Sequence, residues 1–267
     1  MSHRPRVSVV IPAFQSAGRI GRTLARLREQ TFGDFEVIVV NDGSTDATSR
    51  IVGQAMVDDP RIRLIEQSNG GIAVARNRAL DAAHGDVIAF LDDDDLWHRD
   101  KLALQLARLD ATPGAAVVSC LSALVDIDGR LLGWRFGGTP EGDVYREMLE
   151  WDMVSGGSVA MVSRAAMEDV GGFDASLPDR ADWDLWIRLA RRHRFTCVPR
   201  TLVGYTRRAG SVSQSYDRMI EHGQRVLEKA RHADPSISDA DYQAFLARDL
   251  FGAACLCLAD ERRADAD

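Results

Sequence analysis

Residues 35–46 read Phe-Glu-Val-Ile-Val-Val-Asn-Asp-Gly-Ser-Thr-Asp and contain one complete structural unit. The mostly apolar run 35–40 is typical of a strand that is buried on both faces. Gly43 then permits a sharp turn, and Ser44 or Thr45 can cap a helix that we predict over 45–57. A buried strand, a short polar turn and a helix in this order form the repeating unit of a parallel α/β sheet.

The same unit recurs on both sides of this stretch. Three further apolar runs predict strands, at 7–11, 61–66 and 87–91. Apolar residues at helical spacing alternate with them, at Ile20, Leu24 and Leu27, over 72–83 and over 101–109. Right-handed crossovers bring the turns after Ile11, Val40 and Leu91 to one edge of the sheet, where ligands bind in such folds.

After about residue 110 this alternation gives way to shorter elements. We predict strands over 115–125, 130–134, 156–162, 195–198 and 202–205. A helix is predicted over 182–192, and two helical patterns follow from Tyr216 to the end of the chain. The expected fold is therefore α/β: a Rossmann-like, mostly parallel sheet flanked by helices, with a C-terminal helical extension.

Composition and charge exclude several functional classes. The 267 residues are 45% hydrophobic and 27% charged, as in an ordinary globular protein. They include 40 acidic and 33 basic side chains, a net charge of −7, whereas a dedicated nucleic-acid binder needs clustered positive charge. The four cysteines are too few for a disulfide scaffold and lack the paired spacing of a zinc site. We expect no nucleic-acid partner.

No stretch of the sequence has the pattern of a transmembrane segment. The longest apolar-leaning stretch, 115–125, covers about 11 residues, whereas a spanning helix needs roughly 20. The apolar run 7–11 near the N-terminus is too short for a secretory signal. We expect a cytoplasmic protein, and the sequence leaves peripheral membrane contact open.

Asp42 follows the strand predicted over 35–40 and allows two interpretations. In the first, Asp42 and Asp46 complete the turn and favour the N-terminus of the following helix. In the second, Asp42 accepts a hydrogen bond from an N–H group of a ligand, such as a uracil or thymine ring. This stretch alone does not separate the two.

Four aspartates, Asp92-Asp93-Asp94-Asp95, directly follow the buried run 87–91. An exposed acidic run is usually a solvated loop, but the preceding strand delivers this one to the ligand-binding edge. Alternate side chains of an extended chain point the same way, so Asp92 and Asp94 would face one ion together. Since Mg²⁺ and Mn²⁺ take one or two carboxylates plus substrate phosphates, we favour a divalent-cation site over an inert loop.

Six fragments occur in an order and at separations that match a known pattern. The first three are Val-Ile-Pro-Ala-Phe (10–14), the stretch 30–46, and Asn-Gly-Gly with Ala-Arg-Asn (69–71, 75–77). The last three are Gly-Asp-x-Ile-Ala-Phe-Leu-Asp-x-Asp-Asp-x-Trp (85–97) with Lys101-Leu102, Gly-Gly-Phe-Asp (171–174) and Asp-Trp-Asp-Leu-Trp (182–186). From about residue 7 to 213 the chain resembles the family 2 glycosyltransferases, inverting nucleotide-sugar enzymes, and this implies a GT-A-type fold.

The resemblance implies roles for residues on the nucleotide side of the site. Asp42 would read the nucleotide base, and the end of the first strand would line the base pocket with Pro12, Ala13 and Phe14. Arg76 would contact the nucleotide or its diphosphate, although as a single residue it fits a surface helix arginine equally well.

The acidic run matches the family's Asp-x-Asp motif, with its register fixed by Trp97 and Lys101. The resemblance implies that Asp92 and Asp94 bind Mn²⁺ or Mg²⁺, with Asp94 as the more direct ligand. Asp93 is grouped with Asp92 among the residues that bind the nucleotide sugar.

Two departures from the family pattern bear on the site. Phe14-Gln15 stands where Tyr-Asn is frequent, which removes a hydroxyl from the base pocket. The stretch 205–208, Tyr-Thr-Arg-Arg, stands where Tyr-Arg-x-His is common, so a histidine contact to metal or diphosphate is not carried over. Arg208 keeps a planar guanidinium that can grip phosphate, and we assign it to nucleotide-sugar binding.

Sugar transfer also needs a base that deprotonates the acceptor hydroxyl. Asp182 matches the catalytic base of the family, although Asp182 and the nearby Asp184 both fit the acidic first turn of a helix. Residues two apart do not share a helix face, so only one of them points into the site, and the family register favours Asp182. One direct displacement then inverts the anomeric centre.

The resemblance also implies substrates and a division of the chain. The donor would be a UDP- or dTDP-linked sugar, and a glycan, lipid-linked or small-molecule acceptor would receive it. Residues 1–213 would form the glycosyltransferase domain, with a nucleotide-binding half at about 1–110 and an acceptor half at about 111–213. Residues 214–267 would form the C-terminal helical extension, which we expect to pack against the domain.

Two other functional classes stay open at this point. A metal-dependent nucleotidyltransferase usually has a glycine-rich, basic phosphate loop near the first strand, whereas residues 14–19 contain one glycine and one arginine. A non-catalytic nucleotide-sugar-binding module would keep the fold without the chemistry. The presence of Asp92, Asp94 and Asp182 counts against it.

Overall fold

The computed structural model describes residues 4–135, 137–177, 179–207 and 216–264. In these residues the strands of one sheet are Val7–Ala13 (β1), Phe35–Asp42 (β2), Ile62–Gln67 (β3), Val87–Phe90 (β4), Leu96–Trp97 (β5), Ala115–Val125 (β6), Leu131–Trp134 (β7), Met161–Ser163 (β8) and Arg194–Thr206 (β9). The helices are Ile20–Arg28 (α1), Thr48–Asp58 (α2), Ile72–Ala82 (α3), Lys101–Asp110 (α4), Tyr145–Glu150 (α5), Arg164–Val170 (α6), Ala181–Ala190 (α7), Tyr216–Ala233 (α8) and Asp239–Ala264 (α9).

The sheet is parallel at one end and mixed at the other. Its strand order is β3-β2-β1-β4-β8-β6-β9-β5, and β7 pairs with β6. β1 pairs in parallel with β2 and β4, and β2 pairs in parallel with β3. β8 runs antiparallel to β4 and β6 and so joins the two parts. The parallel arrangement predicted for the first half is confirmed, whereas the sheet as a whole is mixed rather than mostly parallel.

The parallel strands β1 and β4 are buried on both faces. Every residue of β1 and of β4 is buried, as the continuous apolar runs predict. On α1 the buried apolar residues are Ile20, Leu24 and Leu27, at the predicted helical spacing. The carboxyl ends of β1, β2 and β4 therefore lie side by side at one edge of the sheet.

The second half departs from the predicted elements in three places. The strand predicted over 156–162 is confined to β8, because Gly156 has a φ of 109° and the N–H of Ala160 closes a turn onto the carbonyl of Gly157. The strands predicted over 195–198 and 202–205 are one strand, β9, whose pairing with β6 shifts register around Pro199. A proline is tolerated at such a bulge. The sequence pattern does not predict α5 and α6, because both helices are too short to show a periodic pattern. The same holds for the two-residue strand β5 in the first half.

The C-terminal helices pack against the rest of the chain, as expected. Val226 and Leu227 of α8 are each 1% exposed, and Phe245 of α9 is 5% exposed. All three belong to the hydrophobic cluster that includes the central strands. The predicted boundary at residue 213 falls outside the described residues and stays a prediction. Among the described helices, none combines the length and the apolar character that crossing a bilayer requires.

An aromatic cluster connects β4 with α7. The ring of Phe90, the last residue of β4, meets Phe173 edge-on at 5.2 Å between centroids and Trp186 of α7 at 6.2 Å. Trp183 of α7 is fully buried, and its Nε1–H donates a hydrogen bond to the carbonyl of Met148 at 2.8 Å. This packing fixes α7 beside the end of β4.

Lys101 is a fully buried cation at the start of α4. Its Nζ donates a hydrogen bond to Oε1 of Gln105 at 2.5 Å and lies 4.0 Å from the ring centroid of Trp97. Burial lowers the pKa of Lys101 to about 8. The Trp97 and Lys101 pair therefore supports the turn between β5 and α4, where the sequence places both residues.

We predict that Lys101→Met changes the pH dependence of stability. Between pH 8 and 10.5 the folded Lys101 has lost its proton while the unfolded side chain retains it. Since the unfolded state then binds more protons, the Lys101 contribution to the free energy of unfolding rises by about 1.4 kcal/mol per pH unit in this window. Below pH 8 both states are protonated and the burial cost is fully present.

Urea unfolding of the wild type and Lys101→Met at pH 7.5, 8.5 and 9.5 measures this term. Between pH 7.5 and 9.5 the difference between their unfolding free energies should change by about 2 kcal/mol in favour of the wild type. The exposed control Arg26→Gln should keep the wild-type slope. Parallel pH curves for the wild type and Lys101→Met would show that Lys101 does not titrate in this window.

Candidate functional site

The acidic run after β4 forms a turn rather than an extended segment. The N–H of Asp95 donates a hydrogen bond to the carbonyl of Asp92 at 3.2 Å. Exposure nevertheless alternates, because Asp92 and Asp94 are half-buried, whereas Asp93 and Asp95 are 7% and 1% exposed. The four carboxylates therefore stand in two different environments.

Asp93 is held by the loop that follows β1. The guanidinium of Arg19 donates to both of its carboxylate oxygens, at 3.0 Å from Nε and 2.9 Å from Nη2, and the hydroxyl of Ser16 donates to it as well. Arg19 also donates to the carbonyls of Phe14 at 2.9 Å and Gln15 at 2.7 Å. Asp93 thus fixes the end of β1 to the acidic turn, and its expected contact to a nucleotide sugar stays a prediction.

Asp95 is enclosed between β9 and the acidic turn. Its Oδ1 accepts a hydrogen bond from the N–H of Thr206 at 2.9 Å. Burial raises the pKa of Asp95 well above its usual range, and the nearby charges of Asp92 and Asp94 raise it further. This carboxyl therefore adds less negative charge to the turn than a solvated aspartate would.

Asp92 forms an ion pair with Arg76 of α3. Nη2 of Arg76 lies 2.7 Å from Oδ1 of Asp92, and Arg76 is 4% exposed, so the alternative of a surface arginine is wrong. The guanidinium lies 5.1 Å from the ring centroid of Phe173, and a methyl group at Gly157 would lie 3.1 Å from its Nη2. The buried guanidinium of Arg76 therefore holds the Asp92 carboxylate through this ion pair. The expected contact of Arg76 to a diphosphate stays a prediction.

Asp92 and Asp94 are the carboxylates of the run that fit a divalent cation. Both are half-buried oxygen donors at the ligand-binding edge, whereas Asp93 and Asp95 are enclosed by protein partners. Within the described residues no group of three or more His, Cys, Asp or Glu side chains is arranged to hold a metal ion. Two carboxylates suit a hard cation that completes its coordination with substrate phosphates.

Asp42, at the end of β2, holds the segment that begins α3. Its Oδ1 accepts hydrogen bonds from Nε2 of Gln67 at 2.7 Å and from the N–H of Gly70 at 2.8 Å, and its Oδ2 accepts from the N–H of Gly71 at 2.8 Å. Asp42 is 3% exposed. In this structure it therefore organises the wall of the expected base pocket, and a direct contact to a base stays a prediction.

The end of β1 presents one exposed side chain beside Asp42. Pro12 and Ala13 are buried and pair with β2, whereas the Phe14 ring is 46% exposed. Gln15 has a positive φ of 48°, and its side chain bonds to Thr45 through Nε2 at 3.0 Å and Oε1 at 3.1 Å. The glutamine thus ties the loop after β1 to the loop after β2, which leaves Phe14 as the exposed face of this pocket.

The two aspartates in the first turn of α7 differ in their surroundings. Asp184 is 3% exposed, and its carboxylate lies 2.8 Å from Nε of Arg188 and 2.8 Å from Nζ of Lys229. Asp182 is half-buried, and its Oδ1 accepts a hydrogen bond from the N–H of Trp183 at 3.0 Å. Trp186 of the same helix packs on Phe90 at the end of β4, and the role of Asp182 as a base stays a prediction.

Asp152, after α5, is a third carboxylate on this side and was not predicted. Its Oδ1 accepts hydrogen bonds from the N–H groups of Val154 at 3.1 Å and Ser155 at 2.9 Å. Burial and the neighbouring charge of Asp182 raise the pKa of Asp152 to about 6, while Arg180 and Arg135 oppose the rise. No sequence motif marks Asp152, because its relation to Asp182 arises from the packing of α5 on α7. The predicted Arg208 lies outside the described residues.

Comparisons with known proteins identify the family of the chain. The sequence model described as Glycosyl transferase family 2 matches residues 8–171. Over 208 residues the chain is 32% identical to the chondroitin synthase of Pasteurella multocida, covering 76% of this chain and 21% of that protein. Over 191 residues it is 33% identical to the putative teichuronic acid biosynthesis glycosyltransferase TuaG of Bacillus subtilis, covering 71% and 73%. The chain thus spans about a fifth of the length of the synthase.

Solved structures show the same fold. The complex of Staphylococcus aureus TarS (residues 1–349) with UDP superimposes with a TM-score of 0.68 at 24% identity, over 92% of this chain and 70% of that one. The mannosyltransferase PcManGT of Pyrobaculum calidifontis, in complex with GDP-Man and Mn²⁺, gives 0.71 at 26% identity, over 98% and 76%. The expected GT-A-type fold is confirmed. Since the family model covers more than half of the chain, the protein belongs to glycosyl transferase family 2, whose members are glycosyl-transferring enzymes.

Proposed function

We propose that this chain transfers a sugar from a nucleotide-diphosphate sugar to an acceptor hydroxyl with inversion of the anomeric centre. The observation that carries the proposal is the contrast among the carboxylates around the edge of the sheet. The half-buried members are Asp92, Asp94 and Asp182, and the enclosed members are Asp93, Asp95 and Asp184. We assign the chemistry to the first three, because their carboxylates are not enclosed by protein partners as the other three are.

The donor is a nucleotide-diphosphate sugar bound across the ends of β1, β2 and β4. Family membership supports this class of donor. The TarS structures contain UDP and UDP-GlcNAc, and the PcManGT structure contains GDP-Man, so uridine and guanosine donors both belong in a first screen. The exposed Phe14 ring offers a stacking surface for the base.

Asp92 and Asp94 are the residues that would hold a divalent cation, Mn²⁺ or Mg²⁺. When bound there, the ion would act as a Lewis acid that offsets the charge developing on the leaving diphosphate. The Mn²⁺ in the PcManGT complex supports this assignment. Arg76 would orient the Asp92 carboxylate through its 2.7 Å ion pair and would reduce the repulsion between the carboxylates.

Asp182 is the general base that removes the proton of the acceptor hydroxyl. Of the two aspartates in the first turn of α7, Asp184 is already committed to Arg188 and Lys229. Asp182 is half-buried, and its charge is one cause of the raised pKa of Asp152, so the two carboxylates are neighbours. A base on one face of the sugar and a leaving diphosphate on the other would produce inversion in one displacement.

The acceptor is a hydroxyl of a growing glycan. The relatives named chondroitin synthase, hyaluronan synthase and teichuronic acid biosynthesis glycosyltransferase support a glycan over a small molecule. A nucleotidyltransferase is set aside, because the chain belongs to a glycosyl-transferring family. Turnover experiments separate the enzyme from a module that binds a nucleotide sugar without reaction.

We expect metal-dependent binding of a nucleoside diphosphate. Purified protein is heated with UDP, dTDP, GDP or CDP, each with and without Mn²⁺. A ligand at 100 times its dissociation constant stabilises the folded state by about 2.7 kcal/mol, which raises the melting temperature measurably. Asp94→Asn should lose the Mn²⁺-dependent part of the shift, because the cation then lacks one carboxylate.

Asp58→Asn, an exposed carboxylate on α2, is the matched control and should keep the wild-type shift. If Asp94→Asn binds Mn²⁺ and nucleotide as the wild type does, Asp94 is not a metal ligand. If none of the four diphosphates shifts the melting temperature, with or without Mn²⁺, the proposed nucleotide site is wrong.

Asp182→Asn should abolish transfer while leaving nucleotide binding nearly intact. Loss of a general base lowers kcat by roughly 10²- to 10⁴-fold, whereas the nucleotide contacts lie at the other end of the donor. The assay measures release of UDP or GDP from UDP-GlcNAc and GDP-Man with chondroitin and hyaluronan oligosaccharides as acceptors. Nucleotide affinity is measured on the same preparations.

Asp184→Asn is the control two residues along the same helix. It should lower the melting temperature, because Arg188 and Lys229 lose a buried partner, while kcat per folded molecule stays within a few-fold of the wild type. Wild-type turnover in Asp182→Asn would remove Asp182 from the mechanism. Loss of turnover in Asp184→Asn alone, at unchanged nucleotide affinity, would move the role of base to Asp184.

A further inference from the structure

The C-terminal helices reach the segment that carries the proposed base through charged contacts. Asp249 of α9 and Arg180, the residue before α7, form an ion pair in which their side chains are 5% and 18% exposed. Nη1 of Arg180 lies 2.6 Å and 2.8 Å from the two carboxylate oxygens of Asp249. Arg180 stands two residues before Asp182.

The surroundings of Arg180 leave little freedom for its side chain. Its Cζ lies 4.5 Å from the ring centroid of Trp183, and its Nη1 donates a longer hydrogen bond, 3.4 Å, to the carbonyl of Met219 on α8. A side chain at Gly223 of α8 would collide with both Arg180 and Asp249, so α8 leaves room for the pair at this glycine. Elements α7, α8 and α9 therefore meet at one guanidinium.

The backbone of Arg180 shows what the pair holds in place. Arg180 has a φ of 61° and a ψ of 17°, which is the left-handed conformation that a residue with a side chain rarely adopts. Such a conformation persists when surrounding contacts over-determine it. The bend it makes sets the direction in which α7 begins, and hence the direction of Asp182 in the first turn.

Other contacts of α8 hold the same segment. Nζ of Lys229 lies 2.6 Å from a carboxylate oxygen of Asp174 and 2.8 Å from one of Asp184. Nδ1 of His222 lies 3.0 Å from a carboxylate oxygen of Asp179. Asp182 lies between these anchored residues and has no contact of this kind with α8 or α9 among the described residues. The C-terminal helices thus contact residues on both sides of Asp182 rather than Asp182 itself.

We propose that Arg180 and Asp249 are positioning residues for the catalytic base, and that α9 is thereby part of the catalytic apparatus without touching substrate. This inference rests on the proposed role of Asp182. A buried ion pair is a weak source of stability, since well-packed apolar residues often replace one without loss. One member of this pair, Arg180, is itself the left-handed residue that precedes α7. The pair therefore bears on the direction of Asp182 as well as on stability.

Single variants test the positioning role. Arg180→Gln and Asp249→Asn should each lower kcat by about 10- to 100-fold, because small displacements of a reacting group cost this much. The KM for the donor and the affinity for nucleoside diphosphate with Mn²⁺ should stay within two-fold of the wild type. Asp249→Glu and Arg180→Lys, which keep the charges, should recover part of kcat.

The adjacent residue on α9 offers a matched control. Arg248 forms an ion pair with Glu150 at the surface, and its side chain is 61% exposed. Arg248→Gln should leave kcat, KM and the melting temperature close to wild type, because exposed pairs contribute little. A loss of kcat in this control equal to that in Asp249→Asn would show that any change on α9 has the same effect and would overturn the inference.

A double variant separates positioning from stability. Arg180→Met combined with Asp249→Leu fills the same space with apolar side chains and should fold with a melting temperature near that of the wild type. Positioning requires that kcat stays low in this folded protein. Recovery of kcat together with the melting temperature would overturn the inference and leave the pair a structural role.

Different results would contradict the proposed base and the proposed positioning role. If Asp182→Asn turns over like the wild type, the proposed base is wrong, and the positioning role falls with it. If Asp182→Asn is inactive while Asp249→Asn and the double variant have wild-type kcat, the base stands and the inference about α9 is wrong. Inactive Asp182→Asn with low kcat in the double variant is the result that we expect.

Discussion

Four consecutive carboxylates leave the buried end of β4, and their mutual repulsion is the constraint around which the site is built. At 4 Å two like charges repel by about 1 kcal/mol in water and about 4 kcal/mol near a protein surface. The chain lowers this cost with two arginines from different segments, since Arg76 pairs with Asp92 and Arg19 with Asp93. For Asp95 burial raises the pKa, which disfavours its charge. Asp94 keeps a half-buried position beside these compensated neighbours.

The compensating groups make the acidic turn depend on the whole domain. Arg19 brings the loop after β1 to the turn, Arg76 brings α3, and the N–H of Thr206 brings the end of β9. β9 lies on the far side of β8 and β6 from β4 in the sheet. A turn that needs all of these elements assembles only when both halves of the sheet have formed, so the geometry of the acidic turn depends on the complete fold.

The sequence predicts those parts of the structure that depend on local pattern. Continuous apolar runs predict the buried strands β1, β2 and β4. The parallel order of these strands predicts that the acidic run after β4 lies at the ligand-binding edge. No local pattern indicates which distant residues form pairs. Asp249, the partner of Arg180, is 69 residues away in α9. Asp152 likewise looks like an ordinary loop aspartate, because only packing reveals its neighbour. The burial of Arg76 could not be predicted either, because its position on the helix does not distinguish a surface side chain from a buried one.

The two acidic clusters of the protein follow the same arrangement. After β4 the enclosed Asp93 lies beside the half-buried Asp94 and ties the acidic turn to Arg19, and in α7 the enclosed Asp184 lies near the half-buried Asp182 and ties the helix to Lys229. In each cluster a cation from another element holds the enclosed aspartate: Arg19, just before α1, holds Asp93, and Lys229 of α8 holds Asp184, which also pairs with Arg188 of its own helix. In both clusters the half-buried aspartate therefore lies within two residues of an aspartate that is chemically identical but enclosed. Charge compensation from other elements thus anchors both clusters: α8 anchors the segment that carries the proposed base, as the loop after β1 anchors the acidic turn.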